Sequence, residues 1–290
     1  MIQKFVEYLT SEKRLSKHTS NAYSSDLQQF DQFLNQEFPS KSIENTTFSE
    51  IRSWVAYLAD KNLDNRSINR KLATLKSFFK FLLKKEIVEL DPTLKLKSLK
   101  VERKLHNFVK ESEMNMVLET EMYSADFEGI RDKLVIELLY GTGIRLAELI
   151  AISENDIDLY QKIIKVTGKR NKQRVVPIHN TLATLISHYL SLKNNKFADN
   201  HLILNNLGKK SYPMFIQRIT QKYLNPNTNL KKKSPHVLRH TFATHLLNEG
   251  ADLNAIKDLL GHSSLAATQV YTHNSIKKLK DIHLQAHPKA

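Results

Sequence analysis

The first 90 residues carry apolar positions at helical spacing throughout. Three stripes recur every three or four residues, which is the period of an α-helix. They are Tyr23, Leu27, Phe30 and Leu34, then Ile51, Trp54, Val55 and Leu58, then Ile68, Leu72, Leu75, Phe79 and Leu82. Thr19 is a predicted N-cap for the first stripe, and Asp91-Pro92 is a predicted stop after the last. Residues 1–90 are therefore predicted to form a helical domain.

The pattern becomes mixed from about residue 108. Ile- and Val-rich segments at 162–166 and 173–178 flank a polar turn and predict a β-hairpin. Further helices are predicted at 112–120, 128–140, 181–193, 213–223, 236–249, 252–260 and 276–284. The expected fold is mainly α with a small β-sheet, in two domains. A basic linker at 91–107 would join residues 1–90 to residues 108–290, which end in a tail at 276–290.

The chain is strongly basic, with 44 lysines and arginines against 30 acidic residues and a formal charge of +14. Such a surplus favours a polyanionic partner, because each cation set against a phosphate releases a counterion. Nucleic acid is the leading candidate, ahead of an acidic membrane or no polyanion at all. The absence of cysteine excludes disulfides and thiol catalysis. No signal peptide or apolar run of membrane-spanning length is recognisable, so a cytoplasmic location is expected.

Four segments place strongly polar residues in contexts otherwise built for packing. They carry Arg145 after two glycines, Lys169 at the hairpin tip, His236 with Arg239, and His262 followed by Tyr271. His236 and Arg239 are three residues apart, so a helix presents both on one face and toward one anion. Taken singly, each residue has an ordinary alternative: a surface ion pair, a solvated lysine or a core tyrosine. Only their combination favours a catalytic site.

His236 and His240 also have the spacing of zinc ligands on a helix. The residue after His236 is Val237, whereas the metalloprotease motif requires glutamate there. No cysteine or close carboxylate completes a ligand set. Zinc is therefore not expected, and His240 and His245 are expected to support the fold.

From Arg145 onward the chain resembles the catalytic domain of the tyrosine recombinase (phage-integrase-like) family, and within it the bacterial Xer recombinases. The resembling strings are GTGIRLAEL, VTGKRNKQRVVPI and HVLRHTFATHLLNEGADLNAIKDLLGHSSLAATQVYTH. The family pattern Arg, Lys, His-x-x-Arg, His, Tyr falls on Arg145, Lys169, His236, Arg239, His262 and Tyr271. More loosely, FVEYLTSEKRLSKHTSNAYSSDLQQFDQFL resembles the helical core-binding domain of that family.

The resemblance implies a role for each of these residues. Tyr271 would attack a scissile phosphate, forming a 3′-phosphotyrosyl bond and releasing a 5′-hydroxyl. Arg145 and Arg239 would neutralise charge on the phosphoryl oxygens, which metal ions often do elsewhere. His262 would add a hydrogen bond. Lys169 would act as general acid, and His236 would accept the proton of Tyr271 or help in its release, with the exact split of proton-transfer roles between these two residues left open. Neither a metal ion nor a nucleotide cofactor is expected.

Other residues are expected to support this chemistry. Glu148, three residues after Arg145, is expected to orient that guanidinium, and the alternative is an exposed acid without that role. Contacts to the DNA backbone are predicted for Lys71, Lys76, Lys172, Arg174 and Lys232.

The implied partners are double-stranded DNA with a palindromic-like site and a homo- or hetero-tetramer of recombinases on two duplexes. Whether a DNA translocase activates the protein stays open. The resemblance implies that the tail docks on a neighbouring subunit, and the Xer relatives imply resolution of chromosome dimers at cell division. The alternatives are an integrase of a mobile element, with the same chemistry, and a DNA-binding regulator without activity. Integrases often carry an extra N-terminal domain, so a chain that opens on core-binding helices favours the Xer interpretation.

Overall fold

A computed structural model of the chain describes residues 1–101, 108–168 and 171–261. By its internal contacts the chain divides into two compact units, Met1–Lys104 and Leu105–Ala290. Each unit has its own hydrophobic core. The finer domain limits expected from the sequence stay a prediction.

The first unit is helical over its described residues, as the apolar stripes predict. Its helices are α1 (Ile2–Ser11), α2 (Lys17–Glu37), α3 (Phe48–Asp60) and α4 (Asn65–Lys84), with a 3₁₀ turn at Ile43–Asn45. The predicted N-cap of α2 is wrong. Ser16 caps the helix, and its hydroxyl accepts from the amide of Thr19 inside the first turn. The stripes of α2, α3 and α4 meet in one core, where the rings of Phe30 and Trp54 lie 4.8 Å apart.

A buried carboxylate joins α2 to α4. Asp26 accepts from Arg70, from the ammonium of Lys71 at 3.0 Å and from the hydroxyl of Thr74 at 2.9 Å. Lys71 also donates to Gln29 at 2.6 Å and is only 4% exposed. The expectation that Lys71 contacts DNA is therefore not supported, because its charge is neutralised inside the helical unit.

The first part of the expected linker is attached to α4. The side chain of Asn69 donates to the carbonyl of Leu99 and accepts from its amide, each at 2.8 Å. Lys76 is exposed, but its ammonium donates to the carbonyl of Leu96 at 2.9 Å. Residues 96–99 thus lie along α4, and the ammonium of Lys76 has a hydrogen-bond partner within its own unit.

The described part of the second unit surrounds one buried helix. Its helices are α5 (Glu111–Leu118), α6 (Phe127–Thr142), α7 (Leu146–Ala151), α8 (Asn180–Asn194), α9 (Pro213–Asn227), α10 (Pro235–Asn248) and α11 (Leu253–Leu260). Every residue of α6 from Leu134 to Thr142 is buried, which is typical of a central helix. No helix among the described residues is both long enough and apolar enough for a bilayer crossing.

The predicted hairpin is confirmed as β2 (Ile163–Thr167) and β3 (Gln173–Pro177), paired antiparallel. A two-residue strand, β1 (Ile157–Asp158), adds to β2, so the described sheet has the order β1-β2-β3. Val166 lies opposite Arg174 in the register, and both side chains are buried. The inward face of the hairpin therefore carries a guanidinium among aliphatic side chains.

One face of α10 is hydrogen-bonded to the backbone at Val109. The amide of Val109 donates to the hydroxyl of Thr241 at 3.0 Å, and Nε2 of His245 lies 3.0 Å from the Val109 carbonyl. Since a carbonyl only accepts, Nε2 carries the proton, and Nδ1 accepts from the hydroxyl of Tyr140 at 3.0 Å. These hydrogen bonds give His245 the structural role that the sequence predicts.

We predict that His245 makes the second unit less stable in acid. Burial lowers the pKa of His245 below its ordinary value of 6.5. The stabilisation is therefore complete above pH 6.5 and is lost as the pH falls, with a slope of at most about 1.4 kcal/mol per pH unit for one proton. Urea unfolding followed by far-UV circular dichroism between pH 7.5 and 5 should show a steeper loss for the wild type than for His245→Gln.

The single tryptophan, Trp54, lies in the first unit and supplies the control. Its fluorescence transition should be the same in both proteins at every pH. Equal slopes in the circular-dichroism signal would contradict the prediction.

Candidate active site

Arg145 is placed by a sharp turn between α6 and α7. Gly143 ends α6 in the left-handed region, at a φ of +60°, and a Cβ there would lie 2.4 Å from the ring of Phe242. The chain then enters α7 with Arg145 as its N-cap. The backbone amide and the guanidinium of Arg145 both donate to the carboxylate of Glu148, each at 2.8 Å. The expectation that Glu148 orients Arg145 is confirmed.

Arg239 and His236 lie on the first two turns of α10. The guanidinium of Arg239 is partly buried and donates to the carbonyls of Gly143 and, at 2.8 Å, Leu260. His236 is exposed. The helix thus presents a fixed guanidinium and, three residues earlier, an imidazole that solvent can reach.

Arg174 takes a role that differs from the DNA contact predicted from the sequence. It is only 5% exposed, and its two terminal nitrogens donate to the two carboxylate oxygens of Glu148 at 2.8 and 2.9 Å. Its Nε donates to the carbonyl of Leu259 at 3.1 Å. The expectation that Arg174 contacts DNA is not supported, because burial and these bonds keep its guanidinium from a phosphate.

The end of α11 binds all three arginines. Successive carbonyls of Leu259, Leu260 and Gly261 accept from Arg174, Arg239 and Arg145, respectively. The carbonyl end of a helix carries partial negative charge and has no partners within the helix, so it stabilises cations. Three guanidinium groups from distant parts of the chain are thereby held around one helix end.

The positive charge of the cluster exceeds its negative charge. Three arginines face the single carboxylate of Glu148, which leaves a surplus among these four side chains. Burial lowers the pKa of Arg239 to about 10, and the charges of Arg145 and Arg174 contribute to that lowering, against the opposing effect of Glu148. The arginine is still charged at neutral pH, and a bound anion would relieve the repulsion.

Arg145 and Arg239 can bind such an anion. Each guanidinium has five N–H donors, and the contacts above occupy only some of them. The side chain of Arg145 is 38% exposed. A tetrahedral oxyanion between these two forks would receive charge-assisted hydrogen bonds from both.

The described end of the hairpin reaches this cluster. A Cβ on Gly168 would lie 3.3 Å from a carboxylate oxygen of Glu148, and the Gly168 amide donates to the Lys172 carbonyl at 2.7 Å. Lys169, His262, Tyr271 and the tail at 276–290 lie outside the described residues. Gly168 and Gly261, the residues immediately before Lys169 and His262, both lie beside the arginine cluster.

The remaining predicted DNA contacts lie at the surface. Lys172 and Lys232 are both exposed. Their assignment as phosphate contacts stays a prediction, as it does for Lys76.

Two features of the site were missed from the sequence. The burial of Arg174 had a signal in the sequence, because Arg174 and Val176 are two residues apart on β3 and period-two spacing places both side chains on the same inward face. The three carbonyls at the end of α11 had no signal in the sequence. Every residue has a carbonyl, and only the tertiary structure decides which carbonyls face the arginines.

The second unit, which contains the small sheet, thus presents two arginines with donors free to bind an oxyanion such as a phosphate. Residues 107–278 match the Phage integrase family, and residues 2–86 match the Phage integrase, N-terminal SAM-like domain. The chain belongs to the phage integrase family of tyrosine recombinases.

Named relatives extend this result over the whole chain. The chain is 36% identical to Tyrosine recombinase XerC of Chlorobaculum parvum, covering 100% of this chain and 94% of the relative. It is 37% identical to the XerC of Natranaerobius thermophilus, covering 99% and 98%. In fold it is similar to a crystal structure of the XerH site-specific recombinase bound to a palindromic difH substrate, with a TM-score of 0.75 and 20% identity over 97% of this chain and 82% of that one.

We predict that Glu148→Gln destabilises the second unit at neutral pH by about 3 kcal/mol, because it leaves buried Arg174 without its counter-charge. Burial raises the pKa of Glu148, but the hydrogen bonds and charge of Arg174 and the bonds from Arg145 outweigh it, so the pKa lies below 4.5. The carboxylate therefore stabilises the fold fully above pH 4.5, and this contribution is lost as the pH falls through the folded pKa.

Urea unfolding at pH 7 and at steps down to pH 3.5 measures this difference. The stability gap between the wild type and Glu148→Gln should narrow as the pH falls. Glu121→Gln, which neutralises an exposed acid in the same unit, should show little change. A Glu148→Gln variant as stable as the wild type at pH 7 would refute the prediction.

Proposed function

We propose that this protein is a site-specific tyrosine recombinase that cleaves and rejoins DNA through Tyr271. The observation that carries the proposal is the pair Arg145 and Arg239, held around the end of α11 in a cluster whose positive charge exceeds its negative charge. Family membership and full-length similarity to XerC recombinases support it.

The proposed reaction conserves the energy of the broken bond. The phenolic oxygen of Tyr271 attacks the scissile phosphorus and gives its proton to His236, while the bond from phosphorus to the 5′-oxygen breaks. Lys169 protonates that oxygen, so the products are a 3′-phosphotyrosyl bond and a 5′-hydroxyl. A 5′-hydroxyl from a second strand then attacks the phosphotyrosine, and the same steps in reverse free Tyr271 and reseal the DNA.

The two guanidinium groups stabilise the transition state of each step. Negative charge grows on the non-bridging oxygens, and a guanidinium offers two parallel donors while staying charged. His262 would donate one more hydrogen bond. Because the arginines are fixed before DNA binds, the site needs little rearrangement during the reaction.

The described tyrosines of the second unit do not offer a comparable nucleophile in its core. Burial raises the pKa of Tyr123, Tyr140, Tyr189 and Tyr223 above the ordinary value of 10.0. The hydroxyl of Tyr140 is engaged by His245, and that of Tyr123 by the carbonyl of Val117. These contacts support a packing role for them and favour Tyr271 as the reactive phenol.

The proposed biological role follows the XerC relatives. The protein would act on a palindromic-like site in double-stranded DNA, as a tetramer on two duplexes, and would resolve chromosome dimers at cell division. The tetramer would contain this chain alone or with a related recombinase. Such a role places the protein in the cytoplasm, where the chromosome lies.

The first experiment traps the covalent intermediate. A duplex nicked beside the cleavage site loses the short strand that would attack the phosphotyrosine, so the adduct accumulates. We predict that the wild type forms this adduct in the presence of EDTA, and that Tyr271→Phe forms none because it lacks the nucleophilic oxygen. Denaturing gels and mass spectrometry of the joined peptide measure the outcome.

Tyr160→Phe is the matched control, since Tyr160 is 96% exposed at the β1–β2 turn. It should form adduct at the wild-type rate. A wild-type protein that binds the DNA but never forms an adduct would instead be a regulator without activity, and adduct in Tyr271→Phe would place the nucleophile elsewhere.

The second experiment separates binding from chemistry at the arginines. We predict that Arg145→Lys and Arg239→Lys each slow adduct formation about 100-fold or more at saturating DNA, because lysine cannot supply the planar fork. DNA affinity should change far less. Arg218→Lys, an exposed arginine on α9, is the control. An unchanged rate in either active-site variant would contradict the assignment of that arginine.

A further inference from the structure

We propose that Arg174 is a positioning residue for the reaction, and that it acts by fixing Glu148 and the end of α11 rather than by touching DNA. The inference rests on the proposed function. In this role, the buried guanidinium of Arg174 keeps three segments that carry candidate catalytic groups aligned with one another.

The hydrogen bonds of Arg174 fix the orientation of its whole guanidinium. Both terminal nitrogens donate to Glu148, and Nε donates to Leu259. These bonds come from the rigid planar fork of a single side chain. Because Arg174 is on β3, they tie the hairpin to α7 and to α11 at the same time.

Glu148 shares its two oxygens between two arginines. One oxygen accepts from the guanidinium groups of Arg145 and Arg174, and the other accepts from the Arg145 amide and from Arg174. Without Arg174 the full charge of this buried carboxylate would act on Arg145. Arg145 would then be drawn toward Glu148, away from the Gly261 carbonyl and from an incoming phosphate.

Gly261 shows how closely this arrangement fits. Its φ of +64° is in the left-handed region, and a Cβ there would lie 3.0 to 3.2 Å from three atoms of the Arg174 side chain. The turn that ends α11 therefore rests directly on Arg174. Displacing that side chain would move the carbonyls that hold Arg145 and Arg239, and the backbone that leads to His262.

The charge of Arg174 also acts on Arg239. It is one of the positive neighbours that lower the pKa of Arg239. Arg174 thus contributes to the surplus that favours a bound anion, although its own donors are occupied.

The test uses the full-length protein and the nicked duplex in single-turnover conditions. Arg174→Met removes the charge and the fork but keeps a long side chain. We expect the rate of adduct formation at saturating DNA to fall about 10- to 100-fold, with a change in DNA dissociation constant within about threefold. Arg174→Lys, which restores one donor and the charge, should recover part of the rate.

Lys165→Met is the matched control, because Lys165 is an exposed cation on β2 of the same hairpin. It should react at the wild-type rate. Circular dichroism gives the folded fraction of each variant, and rates are compared per folded protein. If Arg174→Met does not fold, the comparison of Arg174→Lys with Lys165→Met decides the question.

A double-mutant cycle distinguishes positioning through Glu148 from a general structural effect. If Arg174 acts through Glu148, the Glu148→Gln/Arg174→Met double variant should react within about threefold of the slower single variant. Multiplied rate losses in the double variant, a wild-type rate in Arg174→Met, or a loss explained by weaker DNA binding would each overturn the inference.

The same experiment separates this inference from the proposed function. If the wild type forms no adduct with any bound DNA, the proposed function fails. If the wild type forms adduct and Arg174→Met matches it, only the positioning role fails.

Discussion

The structure of the site depends on the interaction between one helix end and three arginines. The last carbonyls of α11 have no partners within the helix, and each accepts from a guanidinium that arrives on a different element. Arg145 comes from the turn after α6, Arg174 from β3 and Arg239 from α10. Three like charges would repel one another in this space, so the helix end and Glu148 are what make their convergence stable.

The same constraint connects stability to chemistry. The cluster is neutralised enough to fold but retains a surplus of positive charge toward solvent. Under the proposed function, a phosphate would complete the balance that the protein alone leaves open, so the same groups would bind the substrate and stabilise the charge of the reaction. Folding would then fix the donors in advance, and the reaction would not have to assemble them. The first unit contains a contrasting case in Asp26, whose buried carboxylate has two cationic partners and joins α2 to α4.

Much of the fold was predictable because local patterns agree with it. The stripes of α2, α3 and α4 form the core of the first unit, and the hairpin and the ending of α11 at Gly261 follow from turn chemistry. β1 was missed because two residues carry no periodicity. The N-cap was assigned to Thr19 instead of Ser16 because both hydroxyls stand before the same apolar stripe, and only backbone geometry separates them.

The site was predictable in its parts but not in its connections. Arg145, Glu148 and the pair His236–Arg239 have spacings that a sequence displays. Lys71 and Arg174 were predicted to contact DNA because a sequence shows a cation but not its distant partner in the fold. That partner is the carboxylate of Asp26 for Lys71 and the carboxylate of Glu148 for Arg174.

A crystal structure of Tyr271→Phe bound to its uncleaved site would show whether Arg145 and Arg239 bind one backbone phosphate while Arg174 stays on Glu148. We expect both guanidinium groups at about 2.7–3.2 Å from non-bridging oxygens of the scissile phosphate, with the bonds of Arg174 to Glu148 and Leu259 retained. A scissile phosphate bound away from these two arginines, or bound directly by Arg174, would contradict this expectation.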